Sequence, residues 1–226
     1  MKKHLLSVLL VSIVALPAHA GFSLGQTRVV YNESERQSTL RVINSGDGDY
    51  YLVQSWINEN ENDNSPRSSA FIITPPVFKL MPDSENTLLI RTLSDKFPED
   101  RESLSFINVK AIPAVNDAVK NKITFATKSV IKLIYRPKSL NFQDAADAWK
   151  KMVITPQAGV VTLNNPTPYF INIGMLSVNG HAEKISYIAP FSVEKITLKA
   201  NERPVSVEYN VISDFGGASA LHKLKF

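Results

Sequence analysis

The chain has 226 residues, of which 44% are hydrophobic, and a formal net charge of +4. Half of that charge comes from Lys2 and Lys3, and the small remainder excludes the strongly basic surface that nucleic-acid binding requires. There is no cysteine, which excludes a disulfide-stapled scaffold, a thiolate metal site and a cysteine nucleophile. A chain of this length forms one large domain or two domains of about 100 residues.

The first twenty residues predict a secretory signal peptide. Lys2 and Lys3 form a basic start, Leu5 to Leu16 is an apolar run, and Ala18-His19-Ala20 has the small residues of a cleavage site. The apolar run is too short to span a membrane. We therefore expect cleavage after Ala20, export of the remaining chain and no membrane insertion.

Short apolar segments separated by polar turns predict seven β-strands before residue 138. These segments are Thr27 to Tyr31, Ser38 to Ile43, Tyr50 to Ile57, Ala70 to Leu80, Asn86 to Thr92, Leu104 to Ile112 and Asn121 to Pro137. Pro75-Pro76 should break the fourth segment into two edge-like pieces, because proline removes a donor from the ladder. The polar stretch Asn58 to Ser69 predicts a mobile loop. This pattern is typical of a β-sandwich of immunoglobulin type.

The segment Asn121 to Pro137 is the longest of the predicted strands. Its odd positions begin with Ile123 and Phe125, and its even positions carry lysines and Arg136. A period of two indicates a strand, and cations along a strand are typical of a sheet edge. Ile123 and Phe125 would be exposed apolar side chains on that edge. The sequence therefore predicts that something covers them or that a partner binds them.

After Pro137 the pattern predicts a linker, one helix and a second, smaller set of strands. The segment Asp144 to Met152 favours a helix with Asp144 as its N-cap. The strands are Val160 to Leu163, Tyr169 to Val178, Ala182 to Ile188, Val193 to Leu198, Val205 to Ile212 and Leu221 to Phe226. Asn179-Gly180 is typical of a hairpin turn. We therefore predict an all-β protein of two β-sandwich domains, residues 21–140 and 141–226.

No group of residues in the sequence indicates catalysis or metal binding. After the predicted signal peptide the only histidines are His181 and His222, expected to be solvated, and neither has a companion at metal-ligand spacing. The nine glycines form no phosphate-binding loop, and no serine lies in a nucleophile elbow. We expect no enzyme activity, no cofactor and no metal.

Eight segments carry a resemblance to a known family. In chain order they are TRVVY, YYLVQSW, FIITPPVF, ENTLLIR, PEDRESLSFINVKAIP, VIKLIYRP, LNNPTPYF and SDFGG. Together they resemble the periplasmic chaperones of the chaperone–usher pilus pathway, the PapD-like family, over essentially the whole exported chain. The specific pieces are DRES, the N-x-K-AIP after it and IKLxYRP. The connection Pro113 to Asn121 is short and lacks cysteine, which resembles the short-loop branch that serves rod-like pili.

The resemblance implies two immunoglobulin-like domains set at an angle, with a cleft between them. In the family an Arg and a Lys in this cleft bind the C-terminal carboxylate of a pilin subunit, and the matching residues are Arg28 and Lys132. Charge-assisted hydrogen bonds from two cations to one carboxylate fit that role. The implied function is that of a periplasmic chaperone that binds, folds and caps pilin (fimbrial) subunits and delivers them to an outer-membrane usher.

The resemblance also implies donor-strand complementation, in which the chaperone adds its edge strand to a pilin that lacks its final strand. The matching positions are Ile123, Phe125 and Thr127. The family usually has a large aliphatic residue where Thr127 stands, so apolar burial should contribute roughly 1–2 kcal/mol less there. By strict alternation Lys132 lies on the face opposite Ile123, and we expect a bulge near Ser129-Val130 to reconcile the two roles.

Three further positions match a buried charge network at the family's domain junction: Glu102, Arg136 and Asp214. The implied role is to fix the interdomain angle, because one arginine can bind two carboxylates from different domains.

The open strand edge also allows weak self-association of the free chain.

Two other classes of protein remain open at this point. A two-domain adhesin or carbohydrate-binding sandwich would need exposed aromatic residues grouped in loops, and Asn58 to Ser69 contains none. A hydrolase on a sandwich scaffold would need a constellation centred on a histidine, which the sequence lacks.

Overall fold

The computed structural model describes residues 21–48, 50–62, 64–93, 97–114 and 125–226. These residues form two β-sandwiches, each with its own apolar core. The predicted signal peptide, Ile123 and most of the connection from Pro113 to Asn121 lie outside the described residues. Within those ranges, no helix is both long and apolar enough to cross a membrane.

Nine strands form the first sandwich in the described ranges. They are β1 (Phe22–Leu24), β2 (Arg28–Asn32), β3 (Ser38–Asn44), β4 (Tyr51–Asn58), β5 (Phe71–Thr74), β6 (Val77–Leu80), β7 (Ser84–Thr92), β8 (Ser103–Pro113) and β9 (Thr127–Arg136). One sheet has the order β1-β3-β7-β5 and the other β2-β9-β8-β4-β6. Alternate residues such as Leu40 and Val42 on β3, and Ile107 and Val109 on β8, fill the core between the sheets.

Two further features of this domain, the proline pair and the polar loop, can be compared with their predictions. Pro75-Pro76 separates β5 from β6, which lie at the edges of opposite sheets, so the prediction of two edge pieces is confirmed. In the segment Asn58 to Ser69, Glu59 N donates to the Pro66 carbonyl at 3.2 Å and Ser68 N to the Ile57 carbonyl at 2.9 Å, and the mobility of this loop stays a prediction. Strand β1, which pairs with β3, was not predicted.

Strand β9 has different neighbours along its two halves. It pairs with antiparallel β8 from Thr127 to Tyr135, whereas parallel β2 pairs with it only from Lys132 to Arg136. No strand of the described ranges covers the other edge of β9 before Lys132, and we call this the open edge. The prediction of an edge strand is thus correct for the first half and wrong for the second. The strand also begins later than Asn121, because Phe125 precedes it.

The expected bulge near Ser129-Val130 is absent. The register between β9 and β8 is continuous from Thr127 to Tyr135. Leu133 and Tyr135 belong to the core of the first domain, and Lys132 and Arg136 contact the second domain. Two opposite faces of one regular strand therefore serve the core and the domain boundary, and no irregularity is needed to reconcile them.

The second sandwich begins with one short helix and contains eight strands in the described ranges. The elements are α1 (Phe142–Asp147), a 3-10 turn (Ala148–Lys151), β10 (Val153–Gln157), β11 (Val160–Asn165), β12 (Ile171–Val178), β13 (His181–Ala182), β14 (Tyr187–Ile188), β15 (Ser192–Thr197), β16 (Ser206–Val211) and β17 (His222–Lys225). Its sheets have the orders β10-β11-β15 and β13-β12-β16-β17, and β14 also pairs with β12.

Local side-chain chemistry explains where the predictions for this domain fail and hold. The N-cap of α1 is Asn141, whose Oδ1 accepts a hydrogen bond from Asp144 N at 2.8 Å. Asp144 lies in the first turn, so its prediction as the cap is wrong. Asn179 and Gly180 have φ of 51° and 81° between β12 and β13, and this hairpin is confirmed. The strand predicted at Ala182 to Ile188 is two short strands, β13 and β14.

Candidate functional site

Two cations on neighbouring strands face the second domain. Arg28 on β2 and Lys132 on β9 are register partners in the parallel ladder, so their side chains project from the same face. Lys132 Nζ donates across the domain boundary to Asn172 Oδ1 at 3.0 Å and to the Ser186 carbonyl at 2.7 Å. The structure therefore brings together the two cations that the sequence predicted and sets them at the boundary.

Arg28 is buried without its full complement of hydrogen bonds. Its side chain is 6% exposed, and Nε and Nη1 have no hydrogen-bond partner in the described part of the chain. Buried donors without partners are costly, which is why nearly all of them are satisfied in folded proteins. Burial lowers the pKa of Arg28, while Asp214 acts in the opposite direction. Two nitrogens of the guanidinium thus keep hydrogen-bonding capacity that the described residues leave unused.

In the protein without a ligand, Lys132 loses its proton more readily than an exposed lysine does. Its pKa is lowered to about 8, mainly by burial and to a smaller extent by repulsion from Arg28. Attraction to Glu61 partly offsets these two effects. The ring of Tyr187 lies 4.9 Å from Nζ, close enough for a cation–π contact. An anion bound between Arg28 and Lys132 would stabilise the charged form of both side chains.

A buried charge network joins the two domains next to this pair. Arg136 Nε donates to Glu102 Oε1 at 2.7 Å, and Arg136 Nη2 donates to Asp214 Oδ2 at 2.9 Å. Glu102 Oε2 accepts from Phe170 N of the second domain at 2.7 Å. All three charges that the sequence predicted for a network are therefore in contact across the boundary. Their role in fixing the interdomain angle stays a prediction.

Burial and pairing act in opposite directions on this network. Burial raises the pKa of Glu102 to about 7, although Arg136 and the Phe170 N–H lower it. For Arg136 burial disfavours the charge, but Glu102 and Asp214 outweigh it and the pKa is raised. Burial is thus the stronger influence on the carboxylate, and pairing is the stronger influence on the guanidinium. The ionised form of Glu102 depends on Arg136.

An exposed aromatic residue lies beside the open edge of β9. Phe125 is 78% exposed, and Thr127, at the start of the strand, is also exposed. Within the described ranges, Thr127 has a strand partner on one side only, Ala111 of β8. Ile123, the third residue predicted here, lies outside the described residues. An uncovered strand edge with an exposed apolar side chain is what a partner needs in order to add a strand of its own.

The two histidines have different surroundings. His181 is exposed, as expected, whereas His222 is half-buried. Its ring centroid lies 4.3 Å from that of Trp149 and 5.3 Å from that of Tyr209, because β17 pairs with β16 and sets His222 opposite Tyr209. Among the described residues, no group of three or more His, Asp or Glu side chains could hold a metal ion.

Sequence reasoning missed the residues of the second domain that contact the cations. Asn172 lies within the apolar segment that predicted β12, and it is 4% exposed. A lone amide in an apolar strand was the available signal, since a buried amide needs a hydrogen-bond partner. The identity of that partner could not be read from the sequence, because Lys132 and Asn172 are separated by 40 positions.

Two all-β sandwiches, a pair of cations at their boundary and an open strand edge define a protein suited to binding another polypeptide rather than to catalysis. Residues 21–141 match "Pili and flagellar-assembly chaperone, PapD N-terminal domain", and residues 147–223 match "Pili assembly chaperone PapD, C-terminal domain". The chain therefore belongs to the PapD family of pilus-assembly chaperones. This confirms the predicted fold class and chaperone function, which is non-enzymatic, and leaves the adhesin and hydrolase alternatives without support.

Individual relatives agree with the family. The probable fimbrial chaperone protein ElfD of Escherichia coli (strain K12) is 40% identical over 197 residues, which are 87% of this chain and 83% of ElfD. The crystal structure of the E. coli chaperone DraB is 36% identical, with a TM-score of 0.74 over 91% of this chain and 98% of DraB. A chain from the complex of the Salmonella enterica SafA pilin with the SafB chaperone is 25% identical, with a TM-score of 0.75 over 94% of this chain and 99% of its own length.

Proposed function

We propose that this chain is a periplasmic chaperone that binds, folds and caps pilin subunits and delivers them to an outer-membrane usher. Arg28 and Lys132 hold the C-terminal carboxylate of the subunit. The open edge of β9, with Ile123, Phe125 and Thr127, is the donor segment that pairs with the subunit. The predicted signal peptide supports a periplasmic location, and no nucleotide or cofactor takes part.

The observation that carries the proposal is the unmet hydrogen-bonding capacity of Arg28 next to Lys132. The two side chains project from one face, and Arg28 Nε and Nη1 have no partner in the described ranges. A carboxylate has two oxygens that accept hydrogen bonds from several donors at once. Each charge-assisted bond contributes on the order of 1.5–3 kcal/mol. A chain terminus, which carries such a carboxylate at the end of a strand, fits this position.

The donor segment supplies a second set of contacts to the subunit. Backbone hydrogen bonds along an open edge give affinity, and alternate side chains that enter the partner's groove give selectivity. Phe125, which is 78% exposed, is the largest described side chain of this segment, and Thr127 follows it on the same parity. Without a subunit, the same edge allows weak self-association of the chaperone.

The charge network supports the proposal by holding the two domains where the cations meet the second domain. Glu102 and Arg136 belong to the first domain, and Asp214 belongs to the second. Movement at this boundary would separate Lys132 from Asn172 and Ser186. We therefore assign the network the role of keeping the carboxylate site assembled.

The proposal is tested with a synthetic peptide that carries the C-terminal strand of the cognate pilin, prepared as the free acid and as the amide. The wild-type chain should bind the acid more tightly, by about 10- to 100-fold for one charge-assisted bond. Arg28→Ala should reduce this preference, because only Lys132 then binds the carboxylate, and it should not lower the thermal midpoint, since the buried guanidinium has unmet donors in the free protein. Arg41→Ala, at an exposed ion pair, is the control. A full preference for the acid in Arg28→Ala would refute the anchor.

A further inference from the structure

Asn172 is a buried amide on a paired strand, and it contacts the long, flexible side chain of Lys132. Its backbone carbonyl accepts from Ile212 N at 2.9 Å, and it pairs with Tyr187 of β14. The side chain is 4% exposed, and its Oδ1 accepts from Lys132 Nζ at 3.0 Å. A fixed acceptor of the second domain thus holds the end of a flexible cation of the first.

We infer that Asn172 is a positioning residue, which holds the Lys132 ammonium in the cleft so that it meets the carboxylate of the cargo already oriented. The inference rests on the proposed role of Lys132 as an anchor.

The number of donors on the ammonium favours positioning over competition. A lysine ammonium has three N–H donors, and the Asn172 Oδ1 and the Ser186 carbonyl accept from two of them. One donor remains for a ligand, and Arg28, which pairs with Lys132 in the ladder, projects a second cation from the same face. A carboxylate can therefore bind both cations without displacing Asn172. Because the long lysine side chain is already ordered, less freedom is lost when the ligand binds.

The chemistry of the amide explains why a neutral acceptor stands at position 172. The charged groups near Lys132 are Arg28 of β2 and Glu61 of the segment after β4, and the ring of Tyr187 lies over the ammonium. An amide oxygen stabilises the ammonium but leaves its full charge available to an anion. A carboxylate at position 172 would pair with Lys132 directly and compete with the cargo.

The test measures the affinity of the free-acid pilin peptide by calorimetry for the wild type, Asn172→Ala, Lys132→Met and the double variant. Asn172→Ala should weaken binding about three- to tenfold, because only the Ser186 carbonyl then orders the lysine side chain before binding. The same substitution should have no effect in the Lys132→Met background or on binding of the amidated peptide. Asn210→Ala, in the neighbouring strand β16, is the matched control and should bind like the wild type.

Two further readouts separate positioning from a structural role. Removal of the acceptor destabilises the ammonium, so the loss of binding at alkaline pH should begin at a lower pH in Asn172→Ala. Asn172→Asp keeps the shape of the side chain and should weaken binding more than Asn172→Ala does. Tighter binding by Asn172→Ala, or equal weakening in the Lys132→Met background, would overturn the inference. The anchor itself fails independently if Lys132→Met binds the acid as tightly as the wild type.

Discussion

Replacement of Arg136 by alanine should weaken the connection between the two domains. The change removes the hydrogen bonds of 2.7 Å to Glu102 and 2.9 Å to Asp214. Glu102 is 3% exposed and would remain buried without a counterion. Removal of one partner from a buried ion pair costs about 3–5 kcal/mol while the remaining group stays charged, which for Glu102 requires a pH above its raised pKa. This cost falls at the boundary, so it should appear as a loss of coupling between the domains.

The two tryptophans of the chain make this loss measurable. Trp56 lies on β4 of the first domain, and Trp149 lies in the 3-10 turn of the second. Urea unfolding followed by fluorescence in Trp56→Phe and Trp149→Phe backgrounds therefore reports each domain separately. The two transitions should coincide with Arg136 present and separate in Arg136→Ala. The control is Arg41→Ala, whose ion pair with Glu85 has side chains 55% and 56% exposed and should contribute less than about 1 kcal/mol.

Acidification provides a second check on the same variant. The pKa of Glu102 is already raised to about 7, and the loss of Arg136 should raise it further. A carboxyl whose pKa is higher in the folded state binds more protons there, so the folded state gains stability as the pH falls. Arg136→Ala should regain stability between pH 8 and pH 5 more strongly than the wild type. A loss no larger than that of Arg41→Ala, with coincident transitions, would refute the reasoning.

Two predictions concern the cargo site itself. Affinity for the free-acid pilin peptide should fall as the pH rises above about 8, because Lys132 must be protonated to bind a carboxylate and its pKa in the free chain is about 8. Calorimetry across this range should show no such fall in Lys132→Arg, and a flat wild-type profile would contradict the assignment. Phe125→Asp should abolish binding of the pilin with a change in stability within about 0.5 kcal/mol, because Phe125 is 78% exposed. Val205→Asp, at another exposed apolar residue, should bind normally, and a large drop in the thermal midpoint of Phe125→Asp would mean that Phe125 packs within the fold.

The strands with strict alternation were predictable because one face is buried and the other is not. On β3, Leu40 and Val42 are buried at alternate positions, and the pattern is visible in the sequence. Strand β10 was missed because it contains Pro156 and, among the described strands, pairs with β11 alone, as an edge strand does. The cap of α1 was misplaced because Asn141 and Asp144 are both good capping residues, and the sequence does not say which of them precedes the first turn.

The site was less predictable than the fold, because its contacts join distant parts of the chain. Arg28 and Lys132 were identified from a family resemblance, since their periodicity alone is that of surface charges. Arg136 contacts partners 34 and 78 positions away, and no local pattern contains that information. The expected bulge followed from the assumption that one face of β9 must serve both the anchor and the donor segment. The structure shows instead a regular strand whose opposite faces meet the core and the domain boundary.

The unbroken register of β9 fixes the distance between Thr127 and Lys132 along the strand. Thr127 and Lys132 are five residues apart on a regular strand, a length of about 17 Å. A polypeptide that is held at Lys132 and also pairs with the edge at Thr127 must be fully extended over that interval. A bulge would accommodate an extra residue in one of the two strands, whereas a regular ladder pairs the residues one to one. If one residue were added to or removed from either strand within this interval, all side chains of that strand beyond it would turn to the other face. Under the proposed function, the regular strand therefore fixes the number of residues that a bound segment can place between Thr127 and Lys132.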